Sequence, residues 1–113
     1  MKLPRFVTVG HLKLRVVEIS ADEATARGIN GEFDYENGKI ELAANLVPSV
    51  KAEIALHEVL HAAFEVAKLK ATEEGEETFV SGLAPVLLSF IRDNPTFLRE
   101  LAKAAKANPT GEQ

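Results

Sequence analysis

The sequence predicts one α+β domain, with a small N-terminal β-sheet, antiparallel or mixed, packed on two long helices and followed by a shorter C-terminal helix. Three observations predict it. Apolar and polar residues alternate through the N-terminal third, where the pair Asn37-Gly38 separates two alternating runs. From Ser49 to Lys70 neither Gly nor Pro interrupts a helical spacing of apolar residues. Two further helical stripes follow, divided by Asp93-Asn94-Pro95.

Arg5–Val9 and Leu12–Ile19 read as strands, parted by the turn-like Gly10-His11. Leu12, Leu14 and Val16 alternate with Lys13, Arg15 and Val17, the pattern of a half-buried strand. Ser20–Gly31 is polar with two glycines and reads as a loop with a short helical turn at Ala21–Arg27. Phe33-Asp34-Tyr35 and Lys39–Leu42 flank Glu36-Asn37-Gly38, which predicts a hairpin. Pro48 suits the first turn of a helix, where its missing N–H leaves no bond unmade. Val50, Ile54, Leu60, Phe64 and Ala67 then recur at helical intervals. Thr72 can cap a second helix whose positive N-terminal end favours Glu73 and Glu74. Phe79, Val80, Leu83, Leu87, Phe90 and Ile91 form its stripe, and it should stop near Asp93-Asn94 because the residue before a proline disfavours helix. A third helix is expected over Thr96–Ala107, with Phe97, Leu98, Leu101 and Ala105 on its apolar face and Lys103 and Lys106 in solvent. All three stripes are expected in the core. Residues 1–107 thus form the domain, and Asn108–Gln113 reads as a flexible tail.

Composition narrows the function. The 113 residues suffice for one core. A net charge of −4 argues against a nucleic-acid footprint. With no cysteine, disulfide staples and thiolate metal ligands are excluded. No apolar run approaches membrane-spanning length, and Met1–Gly10 lacks the pattern of a secretory signal, so no membrane partner and a cytoplasmic setting are expected. Oligomeric state stays open.

Residues 57–61 read His57-Glu58-Val59-Leu60-His61, an H-E-x-x-H motif central in the first long helix. Positions i and i+4 share one helix face, so both imidazoles can meet one ion. Glu58 lies about 100° further round the helix, beside that ion without ligating it. In this arrangement the two histidines hold zinc and the glutamate is the general base of a metallopeptidase. The apolar flanks Ile54-Ala55-Leu56 and Ala62-Ala63-Phe64 imply a partly buried site. The plain alternative is two helical histidines, each satisfied by a hydrogen bond.

Zinc in such sites takes a third protein ligand. Phe64 and Ala67 stand where the metzincin pattern needs glycine and a third histidine, so a carboxylate from further on is expected. The candidates are Glu65, Glu73, Glu74, Glu76, Glu77 and Asp93. If the chain reverses near Leu69–Thr72, the second helix returns antiparallel and climbs back toward His61. Glu73 and Glu74 then lie too near the turn, and Glu65 is on the same helix. Glu77 leads, with Glu76 its rival.

Glu77-Thr78-Phe79-Val80-Ser81-Gly82-Leu83-Ala84 resembles the second characteristic element of ImmA/IrrE-type metallopeptidases, and His57–Pro95 also resembles small stand-alone H-E-x-x-H proteins of phages and prophages. Both belong to the gluzincin-like zincins, and the resemblance implies a minimal zincin-like domain. The resemblance spans Phe33–Pro95 and implies His57, His61 and Glu77 as zinc ligands with Glu58 as base. Ser81 stands where those peptidases have asparagine, a position that would orient a ligand.

The expected function is zinc-dependent hydrolysis of a peptide or protein substrate, whose extended chain would add to a sheet edge formed by Lys39–Ala43. His11 or Tyr35 could steady the oxyanion, although a surface histidine and a hairpin tyrosine are the simpler readings. The alternatives are a catalytically weak zinc-binding interaction module of phage type, and a latent enzyme whose third helix or tail covers the cleft.

Overall fold

The computed structural model describes residues 1–107, and the tail expected at 108–113 lies outside the described residues. Eight elements follow in order: β1 (Phe6–Val9), β2 (Leu12–Ile19), α1 (Ala21–Arg27), β3 (Gly31–Asp34), β4 (Lys39–Ala43), α2 (Pro48–Ala67), α3 (Glu73–Asp93) and α4 (Pro95–Ala107). The architecture is α+β, as the sequence patterning predicts.

Gly10 makes the first turn, with φ +59°, and lets it rest against α2. A Cβ added there would fall 2.4 Å from Val66 Cγ1. β1 and β2 therefore pair antiparallel, with Val9 opposite Leu12. The chain then crosses over through α1, whose N-cap Ser20 accepts from the Glu23 N–H and whose C-cap Gly28 is left-handed. The stretch expected as a loop with one helical turn is thus a seven-residue helix, closed at both ends. Its crossover brings β4 parallel to β2, with Val16 opposite Ile40, while β3 folds back antiparallel on the outer side of β4. The strand order is β1-β2-β4-β3, a mixed sheet.

This order corrects one expectation. Lys39–Ala43 is no edge, because β4 is hydrogen-bonded on both sides by β2 and β3. The free edges are β1 and β3. The hairpin signal of Asn37-Gly38 fixes the β3–β4 pairing but carries nothing about what lies on the far side of β4.

The two sheet faces bury different helices. Leu14, Ile40 and Leu42 point toward α2, where Ala62 is fully buried and Ile54, Ala55 and Val59 pack around it. Ile19 and Ala43 point the other way, onto Ala24 of α1 with Ile29 and Leu46. On that second face Arg27 bonds Glu41 at 2.9 Å, Glu23 at 3.0 Å and Glu32 at 3.2 Å, tying α1 to both strands of the hairpin. At the start of α2 the buried Lys51 bonds Glu18 of β2 and so pins the helix to the sheet.

Lys68 ends α2 in the left-handed conformation, and α3 begins at Thr72, whose hydroxyl accepts from the Gly75 N–H at 3.0 Å. Val80 and Ala84 of α3 are buried, and the Phe64 and Phe79 rings meet edge to face at 5.3 Å. The expectation of three buried stripes fails in part, since Val50 and Phe79 are themselves exposed, and it fails most beyond this point. Phe90, Ile91, Phe97 and Leu101 are all exposed, α4 buries no residue, and it leans chiefly on α3. The molecule is drawn out to 52 × 30 × 25 Å as a result. Periodicity shows that a helix has an apolar face. It does not show that the same chain covers that face.

The Arg27–Glu41 pair gives a pH-dependent stability. Hydrogen bonding to Arg27 holds the buried Glu41 carboxyl below its ordinary value, against the opposing effect of burial. A lowered folded pKa contributes stability above the unfolded value, and that contribution is lost as pH falls through the folded value. Glu41→Gln is therefore expected to destabilise the protein by about 1–3 kcal/mol at neutral pH. The difference from wild type should close in acid, as read by urea unfolding across pH.

Candidate metal centre

α2 lies between the sheet and α3, so its residues serve three surroundings. Ala55, Val59 and Ala62 face the sheet. Phe64 faces α3. His57 and His61, one turn apart, face a cleft of about 850 Å³ bounded by α2, the first turns of α3 and β3 with its flanking residues Gly28, Ile29 and Tyr35.

The helical reversal at Lys68–Thr72 carries α3 back along α2 and brings Glu77 to the histidines. Nε2 of His61 lies 3.2 Å from Nε2 of His57, 2.9 Å from Oε1 of Glu77 marks the second side, and Oε1 of Glu77 is 3.3 Å from Nε2 of His57. Three donor atoms from three side chains thus converge, and among the described residues this is the group able to hold a metal ion.

Each of these side chains is oriented by a further contact. The Ser81 hydroxyl, one turn along α3, donates to Oε2 of Glu77 at 2.7 Å and so orients the carboxylate toward the histidines. Glu76 places Oε2 2.6 Å from Nδ1 of His61. The two rivals of the sequence reading therefore both engage the same imidazole, Glu77 at Nε2 and Glu76 at Nδ1. A carboxylate on the far nitrogen fixes ring orientation and raises basicity. That role of Glu76 is missed by sequence reasoning, which treats the two glutamates as competitors. The remaining candidates fall away. Glu65, Glu73 and Glu74 line the cleft without joining the three donors, and Asp93 pairs with Arg92 near the end of α3.

The charges respond to this packing. Burial of the His61 ring opposes a proton, but the Glu76 and Glu77 carboxylates outweigh it and raise the His61 pKa. Burial likewise opposes ionisation of Glu77, while the Ser81 hydroxyl and the two imidazoles outweigh it and lower its pKa. Glu58 behaves differently. It is 7% exposed, it lines the cleft beside the histidines, and burial raises its pKa although the charges of His57 and His61 pull the other way. Tyr35, at the mouth of the cleft, is exposed, whereas His11 sits in the β1–β2 turn away from it.

Comparison with protein-family models, curated proteins and solved structures gives no match in any of the three. The chemistry of the centre therefore rests on its own geometry.

Because the folded pKa of Glu58 is raised, the folded state binds that proton more tightly than the unfolded chain. Its ionised form then opposes folding once pH passes the folded value, and the penalty is absent below the unfolded one. In the metal-free protein, Glu58→Gln is expected to raise stability by about 1–3 kcal/mol at neutral pH and to change little in acid. Urea midpoints measured in the presence of a chelator check this.

Proposed function

We propose that the chain is a zinc-dependent metallopeptidase that hydrolyses peptide bonds, with His57, His61 and Glu77 holding the ion and Glu58 acting as general base. The observation that carries this reading is the donor triangle, with sides of 3.2, 3.3 and 2.9 Å. Ligands at zinc–nitrogen and zinc–oxygen bond lengths on a tetrahedron are separated by about 3.3 Å. Two imidazoles and one carboxylate, with no thiolate in the chain, suit zinc among the common divalent ions. Three protein ligands also leave a fourth position open, the mark of a catalytic rather than a structural site.

Zinc held there would activate water and polarise the scissile carbonyl. Glu58 would accept the proton of the attacking water as its oxygen bonds to the carbonyl carbon. It would then pass that proton to the amine nitrogen as the C–N bond breaks. A carboxyl whose pKa is raised by burial suits both halves of this transfer, since it is a better proton acceptor than a surface glutamate and a usable donor afterwards. β3 supports the placement of substrate: it is a free edge beside the cleft, to which an extended peptide can add main-chain hydrogen bonds. Among the described residues no helix is long and apolar enough to cross a membrane. A cytoplasmic site of action belongs to the proposal.

One observation favours a second reading, a zinc-binding module that holds a partner and turns over weakly. The exposed apolar residues of α3 and α4, among them Val86, Phe90, Phe97 and Leu101, form a surface of the kind that partners cover. The latent-enzyme alternative finds no support in α4, which lines no part of the cleft.

Substitutions separate the two. Purified protein is expected to contain stoichiometric zinc by elemental analysis. Glu58→Gln should keep that zinc and lose cleavage of unfolded protein substrates, while His57→Ala should lose both. Retained zinc, no cleavage by the wild-type protein and an unchanged phenotype in Glu58→Gln would favour the binding module, and absence of zinc together with no thermal stabilisation by added zinc would remove the metal centre.

The supporting contacts give a graded outcome. Ser81→Ala and Glu76→Gln are each expected to weaken zinc affinity by about 10- to 100-fold while leaving the fold intact. Competition against a chromophoric chelator, with circular dichroism as the control for folding, measures this.

A further inference from the structure

We propose that the chain forms a two-fold dimer through the outer face of α3, with a second copy packed antiparallel along Phe79, Leu83, Val86 and Phe90. Such a dimer would form whether or not the metal centre cuts peptides. The four residues follow one another at intervals of four, three and four, the spacing of a coiled-coil seam. At about 100° per residue they share an arc of roughly 60° on the helix. That arc lies on the side opposite Glu77 and Ser81, so the seam looks away from the histidines. Phe79 is 55%, Val86 63% and Phe90 40% exposed, so the described residues leave the seam open.

Gly82 points to a helix as the occupant. It sits in the middle of α3, where glycine weakens a helix relative to alanine. It is exposed, its φ is not left-handed, and a Cβ added there would meet no neighbouring atom within 4 Å. Neither the backbone nor the packing of this chain therefore calls for a glycine. The residue lies beside the seam, where a missing side chain lets a second helix come close.

Three features make that helix the α3 of a second copy. The seam is self-complementary, with a phenylalanine at each end and a smaller aliphatic pair between. An antiparallel copy sets Phe79 against Phe90 and Leu83 against Val86 on both sides of a two-fold axis. Charge favours the same direction. Glu73, Glu74, Glu76 and Glu77 crowd the start of α3, whereas α4 beyond its end carries Arg99, Lys103 and Lys106 against Glu100 alone. A parallel copy would bring the two acidic starts together. An antiparallel one keeps them apart and turns each toward the end from which the basic helix projects. The area also suffices. With Phe97 and Leu101 of α4, these side chains leave roughly 500 Å² of apolar surface open. A monomer seldom exposes a patch above about 300–600 Å². The same area supplies the apolar centre of an interface of about 800 Å² per partner.

Sedimentation velocity across a concentration series tests this, with the full chain expected to dimerise at a Kd of about 10 µM. Val86→Lys should weaken the dimer by about 100-fold, because it sets a charge at the centre of the seam. Gly82→Ala should weaken it by about tenfold while leaving the monomer's thermal midpoint the same or higher, which separates close approach from damage to the helix. A monomer at all concentrations up to about 1 mM, or an affinity unchanged by either substitution, overturns the proposal. Direction is read by cross-linking, since the chain has no cysteine of its own. Phe79→Cys and Phe90→Cys should form a disulfide with each other when mixed at concentrations where the wild type is dimeric. Neither should pair with itself, because two like positions would stand about 16 Å apart along the helices, beyond the roughly 7 Å that a disulfide spans. Self-pairing of either variant, or no mixed disulfide, overturns the antiparallel seam. A monomer that sediments with anionic phospholipid vesicles would instead give the face to a lipid surface and overturn the dimer.

Discussion

The placement of α2 between the sheet and α3 is the constraint on which everything else depends. Its sheet side uses small residues, Ala55 and Ala62, which let the helix settle close onto Leu14, Ile40 and Leu42. Lys51 bonds Glu18 at one end of the helix, and Val66 abuts Gly10 near the other, so the helix can neither slide nor roll far. With that side fixed, the helical period dictates that His57 and His61 turn away from the sheet toward α3. The Phe64–Phe79 contact and the buried Val80 then set the height at which α3 passes. Glu77 reaches the histidines because of packing several residues away from it, and a shift of one residue in that register would present Thr78 or Glu76 instead.

The centre gathers groups that packing alone would keep apart. Two imidazole nitrogens 3.2 Å apart leave no room for two protons, and burying a carboxyl such as Glu58 opposes its charge. Local rules are broken here and followed elsewhere, the pattern expected where function constrains a sequence. The helix caps at Ser20 and Thr72, the glycine turns and the Arg27 network obey those rules and supply the stability against which the centre is held. An ion shared by His57, His61 and Glu77 would turn the crowding into coordination. That is the physical sense in which the donor set and the ion explain one another.

Much of this arrangement is legible in the chain, for reasons that are local. The Asn37-Gly38 turn, the Thr72 cap, the Pro95 break and the i, i+4 histidines are all set by neighbours in sequence, and each stands where expected. Counting residues from the helical reversal favours Glu77, because both helices rise by the same step and Glu77 climbs nearest to the level of His61 among the glutamates that begin α3. What escapes the sequence is non-local. β4 is interior because β2 pairs with it across a crossover, and no pattern within Lys39–Ala43 records that partner. Glu76 and Glu77 look like alternatives on a helical wheel. An imidazole has two nitrogens on opposite sides, and His61 uses one for each.

α3 itself divides into two regions with different roles. Its first half carries Glu76, Glu77, Val80, Ser81 and Ala84, all committed to α2 or to the centre. Pro85 follows, with no N–H to give the carbonyl of Ser81 one turn back, so the helix is loosened at the end of the committed half. Past that point the apolar residues Val86, Phe90 and Ile91 are exposed, and α4 adds Phe97 and Leu101 to the same end of the molecule. The radius of gyration of 15.2 Å exceeds the value of about 13 Å for a compact chain of this length. The sheet, α2 and the first half of α3 therefore suffice to build the cleft, and the projecting helices contribute none of its lining. Geometry at the donor atoms is thereby insulated from whatever covers the apolar end, so a partner bound there would alter where the cleft is delivered without altering how it is made.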